Sequence, residues 1–219
     1  MSLLDLTKLH NIHNLRVTGI AHFGAHLGEE VKEYQKLNYT PIHLFEPQTK
    51  IFKKLEELFS TNNDIYLYNV GLGNEQITTK LFLSPSNEGA SASLLKPSGH
   101  LKYHPEIIFE DTENIKICSY DKFDLENVNY LNIDIQGYEL EALKGMPNQL
   151  KIAEYIYLEV NFEEVYLGCS QIKDIDKFLL KFGFRKVGIR KTDKGWGDAI
   201  YSKNNIFIAK LYYLFLPFI

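Results

Sequence analysis

Apolar positions along the chain follow two alternating rhythms. Short, nearly continuous runs, IAHF at 20–23, IHLF at 42–45 and YIYLEV at 155–160, have the length and the β-branched or aromatic content of buried strands. Further strands are expected at 65–70 and 130–135. Between the runs lie segments with apolar residues three and four apart. Over 48–59, Ile51, Phe52, Leu55, Leu58 and Phe59 share one helical face. Over 171–182, Ile172, Ile175, Leu179 and Phe182 do the same, and Gly183 ends the segment. A helix is also expected over about 29–37, with Glu29 and Glu30 in its first turn. A shorter one is expected over 138–144, stopped by Gly145 and Pro147. The segments 185–190 and 198–202 read as two closing strands, joined by a turn at Lys194-Gly195 with no helix between them.

Strand–helix alternation predicts an α/β fold: a seven-stranded, mostly parallel sheet with helices on both faces and an antiparallel edge strand. No repeat or linker interrupts the chain, so one domain is expected over 1–219. The stretch 84–115 breaks the rhythm with three prolines, two glycines and two histidines. It reads as an irregular insert, either a functional lid or a plain surface loop. The tail 206–219 is strongly apolar but carries Lys210 and Pro217, and it is shorter than the ~20 residues a membrane-spanning helix needs. Packing against the body of the domain is expected, with peripheral membrane contact or an oligomer contact as alternatives.

Composition changes this picture little. Apolar residues make up 45% and charged residues 24% of the 219, as in ordinary globular proteins. The net charge of −4 gives no hint of the basic face that a nucleic-acid partner requires. Cys118 and Cys169 are far apart and lack metal-ligand spacing, so a disulfide scaffold or zinc site is not expected. The N-terminus is charged early and shows no signal-peptide pattern. Together these predict a reduced, cytoplasmic protein.

In an open parallel sheet, ligands bind beyond the carboxyl ends of the strands. Gly24-Ala25-His26-Leu27-Gly28 follows the first strand, and its glycines permit a tight turn and close approach of backbone to ligand. Glu46-Pro47 follows the second strand, where a carboxylate ~20 residues past such glycines binds a ribose diol. Turn and carboxylate together point to a nucleoside-containing cofactor. Asp134, at the end of an apolar strand and close to Gly137, points into the crevice, as cofactor ligand or as base.

These residues resemble a known family. His22-Phe23-Gly24-Ala25-His26-Leu27-Gly28-Glu29-Glu30, Phe45-Glu46-Pro47, Leu131-Asn132-Ile133-Asp134-Ile135-Gln136-Gly137-Tyr138-Glu139-Leu140, Leu143-Lys144-Gly145 and Gly195-Trp196-Gly197-Asp198-Ala199 are similar to the FkbM-type methyltransferases. The resemblance implies a class I methyltransferase (Rossmann-like) fold, S-adenosylmethionine as donor, and a hydroxyl of a sugar or other small molecule as acceptor. It implies cofactor binding by His22, Gly24, Ala25, His26, Gly28, Glu46 and Asp134. Three positions depart from the family habit: His22 replaces Asp, His26 often Asn, and Gln136 commonly Glu.

An aliphatic hydroxyl is a poor nucleophile, so a base is expected nearby. The candidates are Asp134 and two histidines of the insert, His100 and His104. Ser91 and Ser93 resemble a serine-rich stretch of the family, and with Glu159 and Trp196 they are the candidate acceptor contacts. Asp134, Glu139 and Glu159 have no metal-binding spacing, and no metal is expected. The alternatives are an inactive methyltransferase fold serving as a binding or assembly module, and a nucleotide-dependent oxidoreductase, which would normally show a Gly-x-Gly-x-x-Gly turn.

Overall fold

The computed structural model describes residues 3–203, and the expected apolar tail lies outside them. In chain order the first elements are α1 (Leu6–His13), β1 (Ile20–Phe23), α2 (Val31–Lys36), β2 (Ile42–Phe45), α3 (Thr49–Phe59) and β3 (Ile65–Tyr68). Next come β4 (Gly71–Leu72), β5 (Ile77–Leu83), α4 (His100–Tyr103), β6 (Asp111–Cys118) and β7 (Tyr130–Ile133). The chain continues with α5 (Glu139–Lys144), α6 (Pro147–Ile152), β8 (Tyr155–Asn161), α7 (Ile172–Leu180), β9 (Arg185–Lys191) and β10 (Trp196–Ser202).

Seven strands form the main sheet in the order β3-β2-β1-β7-β8-β10-β9. Every residue of β1, β2, β7 and β8 is buried, which only a sheet covered on both faces allows. One apolar cluster joins Phe23, Ile133, Leu158, Leu143 and Ile175, and a second joins Ile20, Leu44, Tyr130, Val31 and Leu9. The antiparallel strand is β10, which opposes both β8 and β9. The reversed strand is therefore one in from the edge, and β9 is the edge strand, a refinement of the expected arrangement.

Register places the site. Phe45, Phe23, Ile133 and Leu158 lie in one row across four parallel strands. The residues that follow them, Glu46, Gly24, Asp134 and Glu159, emerge together at the rim, and Asp198 of β10 pairs with Glu159. Chain positions far apart are joined by a shared strand length and nothing more local than that.

Several elements differ from the sequence expectation. The expected insert 84–115 contains the start of β6, which pairs antiparallel with β5 and parallel with β4 in a second, three-stranded sheet. Those strands are largely solvent-facing on one side, so their apolar signal is weak. Pro147 begins α6 where it had been expected only to stop a helix, in keeping with proline's fitness for a first helical turn. α1 was not expected, although Leu6, Leu9 and His13 bury one face of it, and Asp5 caps it by accepting from the Lys8 amide. Glu29 and Glu30 precede α2 and do not lie within its first turn.

The insert folds back over the rim. Backbone amides of Ser98 and His100 donate to Val165 O, and that of Gly99 donates to Glu164 O. Pro97 bridges to Tyr166. The loop after β8 thus holds α4 above the strand ends. Among the described residues, no helix is long and apolar enough to cross a membrane.

Candidate active site

The turn after β1 is built on positive backbone angles: φ is +78° at Gly24, +46° at His26 and +74° at Gly28. A Cβ at Gly24 would stand 1.8 Å from the Asp134 carbonyl oxygen, and one at Gly28 would stand 2.6 Å from the Phe59 ring. Both glycines are thus required by space as well as angle. The amides of Gly24 and Ala25 donate to Phe45 O, tying the turn to β2. The next amide, of His26, donates to Glu46 Oε2 at 3.0 Å, and the Gln48 amide donates to Glu46 Oε1 at 2.8 Å.

Glu46 is 2% exposed, and burial pushes its carboxyl up to about 7 against the pull of the two amides. Each oxygen keeps lone-pair capacity for a second donor. It borders a cavity of about 590 Å³ whose other walls are mostly apolar, among them Phe45, Val70, Leu72, Leu81 and Ile115. An apolar slot with a carboxylate at its edge has the chemistry to take a purine and a ribose diol. His26 closes one side. Its Nδ1 donates to Glu29 Oε1 at 2.7 Å and its Nε2 donates to Glu88 O of the insert at 3.1 Å. Both nitrogens face acceptors, so the imidazolium suits the position, and the hydrogen bond to Glu29 raises its pKa.

A second, polar cavity of about 1000 Å³ adjoins the first. His22, Glu30, Asn132, Tyr157, Glu159 and Asp198 form its floor, and Ser91, His100, Tyr103, His104, Lys194 and Trp196 its upper walls. Only Ala90, Asp134 and Gln136 line both cavities among the described residues. Burial raises the pKa of Asp134, and raises that of Glu159 well above the usual carboxylate range. Asp198 is lifted to about 6 by burial, while it accepts from the Tyr157 hydroxyl and the Leu3 amide.

His22 is 3% exposed and neutral, because burial lowers its pKa. Asn132 Nδ2 donates to Tyr34 Oη at 2.6 Å, and the Tyr34 hydroxyl is hydrogen-bonded to His22 Nδ1 at 3.2 Å.

The methyltransferase FkbM domain matches residues 22–186. The chain belongs to the FkbM methyltransferase family.

This FkbM methyltransferase is 21% identical over 175 residues to the 2-O-methyltransferase NoeI of Sinorhizobium fredii, a match covering 74% of this chain and 71% of that protein. Its fold is similar to the crystal structure of an FkbM methyltransferase from Methylobacillus flagellatus, with a TM-score of 0.59 at 16% identity over 86% of this chain. The match spans 44% of that longer protein. It is also similar to the magnesium protoporphyrin IX methyltransferase of Synechocystis with bound S-adenosylmethionine, with a TM-score of 0.51 at 11% identity over 91% of this chain and 76% of that one. The chain has the class I methyltransferase fold. Membership of this family makes it a methyltransferase.

The predicted site residues divide. Gly24, His26, Glu46 and Asp134 line the first cavity, and His22, Ser91, His100, His104, Glu159 and Trp196 the second. Ala25 and Gly28 line neither, because their amides are spent within the turn on Phe45 O and Ala25 O. Ser93 is fully buried away from the acceptor side, with its hydroxyl donating to Gln136 O at 2.7 Å. His100 lies in the second cavity, but burial pushes its imidazole down to about 4, too weak a base for neutral pH. His104 Nδ1 donates to Glu106 Oε1 at 3.1 Å. Glu139 accepts from the amides of Ile135 and Gly137. Among the described residues, no group of three or more His, Cys, Asp or Glu side chains is placed to hold a metal ion. The site residues that sequence reasoning missed are Glu30, Gln136, Tyr157, Tyr166 and Asp198. Glu30, Gln136 and Asp198 lie within the family-like motifs, whereas Tyr166 carries no local signal.

Proposed function

We propose that this enzyme methylates a hydroxyl oxygen of an uncharged sugar or similar polyhydroxylated small molecule, with Asp134 as the base. The supporting observation is that Asp134, among the described residues, is the titratable side chain shared by the two cavities. A group at that junction faces the point where donor and acceptor must meet.

When bound, S-adenosylmethionine supplies an electrophilic methyl carbon whose C–S bond breaks to leave a neutral thioether as the new C–O bond forms. Glu46 accepts the ribose hydroxyls, and the apolar walls take the purine. His22 and the His26 turn face the amino-acid portion. Asp134 accepts the proton of the acceptor hydroxyl during attack. The row of strand ends fixes Asp134 relative to Glu46, so that donor and acceptor meet aligned. α4 and the rest of the insert cover the junction and limit water.

The acceptor cavity supports the choice of substrate. Its lining carries Glu30, Asp134, Glu159 and Asp198 against one lysine, Lys194. With one lysine and several acidic side chains as hydrogen-bond partners, this lining suits hydroxyls better than phosphate or carboxylate groups, with Trp196 and Tyr103 as apolar surfaces for a pyranose face. NoeI, a relative of this chain, is a 2-O-methyltransferase, which supports a hydroxyl oxygen as acceptor. The unpaired Cys118 and Cys169 support a reducing, cytoplasmic setting.

The test is turnover of a panel of methyl glycosides and their phosphorylated counterparts. Asp134→Asn is expected to lower kcat by about 10²-fold or more while S-adenosylmethionine still binds. Wild-type turnover in that variant would move the role to His104. Binding without turnover on any hydroxylated compound would favour the assembly-module reading.

A further inference from the structure

We propose that Gln136 is the positioning residue that holds the Asp134 carboxylate at the junction of the two cavities, acting as a neutral clamp between Asp134 and Glu159. The inference rests on the reading of Asp134 as the base. Gln136 Nε2 donates to Asp134 Oδ1 at 2.8 Å and to Glu159 Oε2 at 3.3 Å. Its Oε1 accepts from the Tyr166 hydroxyl at 2.7 Å. The amide orientation follows from these partners: turned over, its oxygen would face two carboxylates and its NH₂ a hydroxyl donor.

The clamp is itself fixed. Tyr166 is 1% exposed, and its hydroxyl also lies 3.3 Å from Ser91 O of the insert. Ser93 donates to the Gln136 carbonyl, and the Gln136 backbone is left-handed at φ +55°, a conformation glutamine keeps only where its surroundings impose it. Side chain and backbone are thus held from the insert and from the loop after β8 at once. This is more restraint than a surface turn needs, and it converges on one carboxylate.

The electrostatics explain why an amide suits the position. The groups that face Asp134 are His22 on β1, Glu30 ahead of α2, Glu139 on α5, Glu159 on β8, Asp198 on β10 and Tyr166. Burial raises the pKa of Asp134, and the hydrogen bond from Gln136 lowers it. An amide gives each carboxylate one hydrogen and adds no charge. A glutamate in its place would remove both donors and add another negative charge within contact distance.

The experiment is an NMR titration of the Asp134 carboxyl carbon in ¹³C-aspartate-labelled full-length protein, with the signal identified by its loss in Asp134→Asn. In Gln136→Glu the midpoint is expected to rise by roughly one pH unit or more. In Tyr166→Phe, which frees only the far end of the amide, a smaller rise is expected. Thermal unfolding confirms that each variant is folded, and Tyr166→Phe decides alone if Gln136→Glu is not. An unchanged midpoint in the folded variants would overturn the clamp. The acid limb of the kcat profile should move with the midpoint. If the midpoint moves while Asp134→Asn retains full turnover, the clamp stands and the base assignment fails.

Discussion

Glu46 shows how much one side chain can be asked to do. Its two oxygens are presented by the amides of His26 and Gln48, while burial favours the protonated form and lifts its pKa from 4.5 to about 7. The sign is clear. The folded pKa is raised, so this group's contribution to stability in the ligand-free protein is fully present below 4.5 and is lost as pH rises through about 7. Ligand binding runs the other way, because the ionised carboxylate is the better acceptor for a ribose diol. The Kd for S-adenosylmethionine is expected to rise as pH falls through 7. Glu46→Gln should bind about tenfold or more weakly and show a flatter pH dependence, as charged hydrogen bonds of this kind contribute ~1.5–3 kcal/mol. Calorimetric titrations at several pH values would check both. A wild-type Kd that does not vary with pH would remove Glu46 from this role.

At the scale of elements, the turn after β1 and the loop after β7 are one unit. The Asp134 amide donates to Phe23 O, and Gly24 packs against the Asp134 carbonyl so closely that no side chain fits. Gly24→Ala must therefore shift the two strand ends apart and also strain a positive φ. The expected cost is about 3 kcal/mol or more, with loss of donor binding, measured by denaturant unfolding and calorimetry. Binding lost without a fall in stability would mean that the turn serves the ligand alone. The insert makes a similar union from the other side, since His26 donates to Glu88 O and Ser93 donates to Gln136 O. The turn after β1, the insert and the loop after β7 are thus linked, though they come from three separate parts of the chain.

At the scale of the molecule, a sheet with an apolar cluster on each side supports a rim rich in buried carboxylates. Asp134, Glu139, Glu159 and Asp198 all have raised pKa values, so the rim is costly to the ligand-free fold at neutral pH. Donor binding should repay part of that cost. At a free concentration 100 times Kd, S-adenosylmethionine is expected to add about 2.7 kcal/mol of stability, a rise of roughly 5–10 °C in Tm, by thermal unfolding with and without ligand. Glu46→Ala should show little of that rise at the same ligand concentration. An equal rise in wild type and variant would point to binding elsewhere.

Much of the scaffold could be read from local pattern. β1 and β2 fall at their expected bounds, and α3 and α7 within a residue or two, because consecutive burial and a one-sided apolar stripe leave period-two and period-3.6 signatures in neighbouring residues. Glu46 and Asp134 were legible for a related reason: a charged residue ending a buried strand has few packing explanations. The pairing of β5 with β6 was not, since half-exposed strands joined across a 27-residue connection leave no short-range trace. Nor was the environment of Gln136, set by Tyr166 thirty residues ahead and Ser93 forty-three behind. Local sequence decides which segments are strands and helices and which residues emerge at their ends. Which side chains meet there, and so which amide steadies which carboxylate, depends on long-range packing that brings the insert down over the strand ends.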